Sequence, residues 1–292
     1  RRAHFERAGI HFESRHAIIL THRPIELRRS GLGKYVYADT ESRQKSFAET
    51  ALDLFRTRIR EVEQYLANWI SLRRMATREL TPSDACARTE RFDELFQFIR
   101  FCISGENHPI RLPDIPFYLD WLATAEFQHG LTPVVDNRHL GVVAIDGLPS
   151  ESWPGILNSL DRLPIAYRWS SRFIFLDAQE ARERLERTRK KWQQKVRPFF
   201  DQLFQTQSRS VDQDAMTMVA ETEDAIAQAS SQLVAYGYYT PVVILFDGDR
   251  DALQEKAEAI RRLVQAEGFG ARIETLNATD AFLGSLPGNW YA

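Results

Sequence analysis

The sequence predicts an α+β fold, and three observations in its second half carry that prediction. A first β-α-β pattern runs HLGVVAIDG (strand), SESWPGILNSLDRL (helix) and AYRWSSRFIFL (strand). A second runs TPVVILFDG, DALQEKAEAIRRLVQAEGF and ARIETLN. Their apolar residues form short strand-like runs in the outer segments and recur at three- and four-residue steps in the middle ones. Between the two patterns lies a long charged stretch with helical periodicity. Together these predict a four-stranded antiparallel or mixed sheet of ferredoxin-like type, covered on one face by helices, with a helical hairpin inserted over 177–236.

The preceding residues read as a strand followed by a mostly helical part, which sets the expected division at 1–135 and 136–292. His16 to Thr21, HAIILT, is a short apolar run bounded by charge and by Pro24, and is expected to be a strand. A helix is expected from Glu41, because Phe47, Ala51, Phe55, Ile59, Val62, Leu66 and Trp69 fall on one face, with Asp39 or Thr40 to cap it. A second helix is expected from Thr81-Pro82-Ser83-Asp84, with Phe92, Leu95, Phe96, Ile99 and Cys102 as its apolar face. A turn-rich connection and a short helix carrying Phe117, Leu119, Trp121 and Leu122 lead into the first β-α-β pattern.

In the second β-α-β pattern, Leu253, Ala257, Ile260 and Val264 form the helix stripe, and Gly268 or Gly270 closes it. The insertion opens on Asp177-Ala-Gln-Glu180, a capping-box form with Asp in place of Ser or Thr. Its first helix carries Ala181, Leu185, Trp192, Val196, Phe199 and Leu203, and Pro198 is expected to bend or break it. A return helix over roughly Asp212 to Ala235 carries Met216, Val219, Ile226 and Leu233.

Composition excludes several classes. With 292 residues, 43% hydrophobic and 27% charged, the chain is long enough for a substantial core and is not of disordered composition. A formal net charge of −2 gives no global attraction to nucleic acid or anionic lipid, so any such binding needs a local patch. The two cysteines, Cys86 and Cys102, stand in no C-x-x-C pair and near no histidine at ligand spacing, which suits reduced structural thiols. No run approaches ~18 apolar residues, the length a membrane span needs.

Candidate chemistry is sparse. Gly31-Leu-Gly-Lys34 has the Gly-Lys of a phosphate loop, but Arg28 stands where G-x-x-x-x-G-K-[ST] needs glycine, and Tyr35 where it needs Ser or Thr. His4, His11, His16 and His22 crowd one end without metal-ligand spacing. Ser170-Ser171 sits within a strand pattern, and there is no G-x-S-x-G. Asp146 and Asp247 each precede a glycine, as in a turn. The sequence thus assigns no catalytic, cofactor-binding or metal-ligating residue.

Two features are candidates for binding, although a solvated helical face is the first expectation for the basic run. Arg182, Arg184, Arg187, Arg189, Lys190, Lys191, Lys195 and Arg197 form a basic run. It is partly neutralised by Glu183–Arg187 and Glu186–Lys190 spacing, and the acidic return helix (Asp212, Asp214, Glu221, Glu223, Asp224) is a further candidate counterpart. Arg187, Arg189, Lys190 and Lys191 are the candidate partner contacts, for an acidic protein, anionic headgroups or nucleic acid. Aromatic residues also alternate in Tyr167, Trp169 and Phe173, with Tyr236, Tyr238 and Tyr239 nearby. They could stack on bases, but core packing beneath helices is the expectation.

Six segments carry a family resemblance: HFES (His11 to Ser14), IPFYLDWL (Ile115 to Leu122), SWPGILNSLDRL (Ser152 to Leu163), LPIAYRWSSRFIFLD (Leu163 to Asp177), QLVAYGYYTPVVILFD (Gln232 to Asp247) and ETLNATDAFLGSLPGNWYA (Glu274 to Ala292). In order and spacing the chain resembles the TrbE/CagE/VirB family of type IV secretion ATPases, in its conjugal-transfer, TrbE-like form. The resemblance implies a region that precedes a motor domain holding ATP and magnesium, with both ends of the sequence cut. It further implies no ATP hydrolysis by this region alone. Its expected role is docking and oligomerisation at the cytoplasmic face of the bacterial inner membrane, with peripheral membrane association. The implied partners are inner-membrane channel components and other copies of the chain. The rival reading is a nucleic-acid-binding module using helix 182–197.

Overall fold

A computed structural model of the chain describes residues 14–21, 40–80, 90–115, 118–123, 126–149, 151–202, 210–230 and 234–289. The chain divides into two compact units, one of Arg1–His129 with Pro133–Arg138 and Leu286–Ala292, the other of His139–Ser285 with Gly130–Thr132.

In the first unit, the expected strand at 16–21 is not formed. These residues pair with no strand, and Ile18 and Leu20 are more than half exposed (53% and 56%). An apolar run makes a strand only where a neighbouring edge can take its backbone hydrogen bonds. The first long helix is as expected, α1 (Thr40–Ala67), with Ile59, Val62 and Leu66 half-buried. Trp69 falls beyond its end and is 75% exposed. Asp39 and the 81–84 helix start lie outside the described residues.

β1 (Thr77–Leu80) pairs antiparallel with β2 (Glu90–Asp93), Thr77 opposite Asp93 and Leu80 opposite Glu90. Phe92 therefore belongs to a strand and not to the second helix, α2 (Glu94–Ser104). The boundary is set by Asp93, whose carboxylate accepts the Phe96 N–H at 2.9 Å as an N-cap, while Gly105 closes the helix with φ 73°. Leu95, Phe96, Ile99 and Cys102 remain on α2, and Cys102 is buried. Glu94 ties the region together. It accepts from Arg73 at 2.6 Å, from the Ala76 N–H at 3.0 Å, and pairs with Arg78 at 2.5 Å. In place of the short helix stands one 3-10 turn, Leu119–Ala123, with Leu122 buried and its carbonyl accepting from Arg100. β3 (Phe127–Gln128) and β4 (Val134–Val135) form a small antiparallel pair.

The second unit is built on β5 (Arg138–Gly147), β6 (Arg168–Phe175), β7 (Gly237–Asp247) and β8 (Gly270–Ile273). All pairings are antiparallel, in the order β8-β5-β7-β6, the four-stranded ferredoxin-like arrangement expected from the sequence. α3 (Ala178–Gln202) and α4 (Ser210–Ser230) pack together as the inserted hairpin between β6 and β7. α3 is not broken at Pro198 and continues to Gln202. One lost hydrogen bond is a local penalty, and flanking helix-forming residues can carry the helix past it.

Coverage of the sheet differs from expectation on both faces. α5 (Arg250–Ala266) lies on one face, with Leu253, Ala257, Ile260 and Val264 all buried against Val143, Ile145, Val243 and Leu245, and Gly268 (φ 86°) follows its end. The opposite face is also covered: α6 (Ala278–Gly284) places buried Phe282 edge-on to Phe246 at 6.1 Å, and Arg168 donates to Ser285 at its end. The helix expected over 151–163 is reduced to turns and a 3-10 segment, Asn158–Arg162. Pro154 withholds an N–H, and Gly155 turns the chain in the left-handed region (φ 86°), so no α-helix can run through them.

Two tests follow from this packing. Ile260→Ala removes a fully buried side chain, and urea denaturation should show a loss of about 2–4 kcal/mol. For Glu94, the hydrogen bond from Arg73, then the Ala76 N–H, hold the carboxyl down to about 2. The folded state therefore binds this proton more weakly than the unfolded chain does. Its stabilisation is complete above the unfolded glutamate value and is lost as pH falls from about 4.5 towards 2. The urea midpoint should drop over that interval, and Glu94→Gln should be less stable at pH 7 and show a flatter acid limb.

Candidate functional site

The basic run lies on α3, and local charge explains why much of it is already satisfied. Asp177 accepts the Glu180 N–H at 2.7 Å, the N-terminal half of a capping box. The reciprocal half is not made, because the Glu180 carboxylate takes Arg184 at 3.0 Å. Arg182 pairs with Glu186 at 3.1 Å and Arg187 with Glu183 at 3.9 Å. The expected Glu183–Arg187 pair is thus present, whereas Glu186 is engaged by Arg182 rather than by Lys190. Arg184 also stands over the Tyr238 ring, 5.1 Å from its centre, where the guanidinium meets the negative π-face.

The four candidate contacts have separate fates. Arg187 is exposed and paired within its own helix. Arg189 is half-buried, and its Nε has no partner among the described residues. Lys190 and Lys191 are exposed and make no ion pair among the described residues. Of the acidic return helix, Glu221, Glu223 and Asp224 are described, and none of these three pairs with a described side chain of α3. Lys195, Arg197, Asp212 and Asp214 fall where side chains are not described.

A second surface lies on the sheet face that α5 covers in part. Tyr167 and Trp169 pack against the core, as expected. Phe173, Tyr239 and Phe175 do not, being 42%, 47% and 73% exposed. Phe173 stands opposite Tyr239 across the β6–β7 ladder, and Phe173 and Phe175 meet edge to face at 4.6 Å. Beside them is a groove of about 320 Å³ lined by Leu148, Trp153, Trp169, Tyr239, Pro241 and Phe269. Polar groups fix its floor: the Trp169 indole donates to Ser171 at 2.8 Å, and the Ser171 and Tyr239 hydroxyls lie 3.1 Å apart.

Lengths explain why these aromatics are uncovered. α5, with 17 residues, is about 26 Å long, whereas β7, with 11, extends about 36 Å. The turns and 3-10 segment over 151–163 share that face with α5, with Leu160 buried and Leu157 and Leu163 packed against the core. Period-two spacing of Trp169, Phe173 and Phe175 marks one sheet face in the sequence, but not whether a helix lies over it.

The remaining candidates are structural or lie outside the described residues. Asp247 accepts the Asp249 N–H at 2.9 Å in a turn and pairs with Lys256. Asp146 pairs with Arg272 at 2.5 Å. Ser170 approaches the Ser285 carbonyl. No group of three or more His, Cys, Asp or Glu side chains that could hold a metal occurs among the described residues. Gly31–Lys34, Cys86, His4, His11 and His22 lie outside them. No helix among the described residues is long and apolar enough to cross a membrane.

Because Lys190 and Lys191 have no partner among the described residues, Lys190→Glu and Lys191→Glu should each leave the unfolding free energy from urea denaturation within about 0.5 kcal/mol of the parent.

The profile of the CagE, TrbE, VirB family, component of type IV transporter system, matches residues 85–292. The chain is 74% identical over 292 residues to the conjugal transfer protein TrbE of Rhizobium radiobacter, covering all of this chain and 36% of that protein. It is 80% identical over 240 residues to a probable conjugal transfer protein TrbE (its second portion) of Sinorhizobium fredii (strain NBRC 101917 / NGR234), covering 82% of this chain and 36% of the relative. It is also 24% identical over 198 residues to the type IV secretion system protein virB4 of Brucella suis biovar 1 (strain 1330), covering 66% of this chain and 22% of that protein. The chain thus spans about a third of the length of its two TrbE relatives. The match over 85–292, with the two TrbE relatives, means that this chain belongs to the CagE, TrbE, VirB family, a component of type IV transporter systems.

Proposed function

We propose that the chain is the docking and oligomerisation region of a conjugal-transfer type IV secretion ATPase. It couples a nucleotide-hydrolysing motor, carried elsewhere in the polypeptide, to inner-membrane channel components, and it associates peripherally with the cytoplasmic face of that membrane. The observation that carries the reading is the family match over 85–292, on a chain that spans 36% of its TrbE relatives. The sequence contains no G-x-x-x-x-G-K-[ST], so ATP and magnesium belong with the motor.

Two surfaces serve this role. Lys190 and Lys191, with Arg187 and Arg189 beside them, contact an acidic surface of a channel component. The exposed aromatic end of the β6–β7 face serves association between copies. Pairing of Arg182, Arg184 and Arg187 with glutamates of their own helix weighs against a nucleic-acid site, since phosphate binding draws on cations free to replace counterions.

Two measurements on the purified 292-residue chain check this. ATP turnover should equal the blank, and turnover above it contradicts the non-catalytic role. Co-expressed with the inner-membrane channel components of its own conjugative system, the chain should co-purify with one of them. A Lys190→Glu/Lys191→Glu double variant should reduce that recovery several-fold at unchanged thermal stability. Undiminished recovery removes α3 from the contact.

A further inference from the structure

The exposed aromatic face carries an inference that rests on the self-association part of the proposed function and gives it a geometry. Odd-numbered residues of β6 and β7 share the face on which α5 lies, and past the end of α5 that face has a convex and a concave part. The convex part is Phe175, 73% exposed, with Phe173 edge to face beside it at 4.6 Å. Its rung of the ladder offers it no side chain. Gly237 stands opposite, and a Cβ there would collide with the Phe173 ring. The concave part is the groove of about 320 Å³, with Trp153 and Tyr239 among its exposed walls and Trp169 and Pro241 deeper in it. No charged side chain lines it, so it suits an apolar ring and not an ion. We propose that this face packs on the same face of a second copy of the chain, with Phe175 of each copy seated in the groove of the other.

Register and room agree. Facing sheets pack ~10 Å apart, with side chains of both inner faces filling the gap. A two-fold axis lying in that gap, perpendicular to the strands and beside Phe173, sets Phe173 over the second copy's Phe173. It carries Phe175 to the level of the second copy's Ser171 and Pro241, which oppose each other across the β6–β7 ladder at the groove. One rotation makes both contacts, because a two-fold interface is self-complementary. A cavity of about 150 Å³ accepts a benzene ring, so the groove has room for a phenyl ring and its stem. The first turns of α3 leave this face clear: Arg184 meets Tyr238, an even-numbered residue of β7 that points to the other side.

The area fits a weak, specific contact. Phe173, Phe175, Tyr239 and Trp153, the last 59% exposed, leave roughly 500 Å² of aromatic surface open per copy. Covering it on both copies removes on the order of 1,000 Å² from water, the lower limit for specific association. The dimer is therefore reversible, with Kd in the micromolar range. The seated ring carries much of its energy, as aromatic anchors in apolar pockets do.

Sedimentation equilibrium of the 292-residue chain up to about 200 µM tests the packing. The parent should dimerise. Phe175→Ala and Trp153→Ala should each weaken the dimer at least about tenfold while the circular dichroism melt stays close to the parent's. Because both remove the same contact, Phe175→Ala/Trp153→Ala should be no more than about threefold weaker than the weaker single variant. Leu276→Ala, which removes a comparably exposed side chain (84%) between β8 and α6, should leave the dimer unchanged. A parent that is monomeric throughout overturns the inference, as does a dimer indifferent to Phe175→Ala. Fully additive losses, or equal weakening by Leu276→Ala, also overturn it. A monomer that still co-purifies with channel components contradicts the self-association alone; a Phe175-dependent dimer that does not co-purify contradicts the docking reading alone.

Discussion

Burial of the β5–β7 pair on both faces is the constraint on which the second unit depends. Val142, Val143, Val243 and Ile244 are essentially inaccessible, although side chains alternate between faces along a strand. Odd-numbered residues of the pair meet the α5 stripe, and even-numbered ones meet the Phe282 side. Two apolar layers therefore share one sheet. Removing either helix would expose a row of branched side chains at ~25 cal/mol per Å². The β6 and β8 strands flank this pair and are fixed by it, while the helical hairpin enters where β6 passes into β7.

Much of this is legible in the sequence, and the misreadings share causes. The α5 stripe is explicit because Leu253, Ala257, Ile260 and Val264 follow helical spacing, and every one is buried. The continuous run Val242 to Leu245 signals a strand buried on both faces, yet the sequence points to one-sided cover because α6 is only seven residues long. Periodicity also overstates helix. Phe92 lies at helical spacing from Leu95 and Phe96, but Asp93 caps the backbone between them. SESWPGILNSLDRL has an apolar pattern, but Pro154 and Gly155 forbid the helix. At HAIILT the composition is strand-like, and strand formation depends on an edge that local sequence does not specify.

The candidate surfaces are legible to different degrees. The basic run is visible at once in the sequence, but pairing within α3 reduces its free cations, among described side chains, to a smaller set around Lys190 and Lys191. Exposure of Phe173, Phe175 and Tyr239 is not legible, because it follows from how far α5 extends along β7, a property of three-dimensional cover. An uncovered aromatic face is costly for a monomer that must stay soluble.

The central claim is that the aromatic end of β6 and β7 is a binding surface and not a loosely packed part of the core. Hydrogen exchange at residues 168–175 tests this most directly, in the dilute free chain and in the assembled secretion complex. The account predicts outward-facing β6 amides that exchange rapidly in the dilute chain and become protected in the complex. Amides already protected in the dilute chain, or rapid exchange in both states, would contradict it.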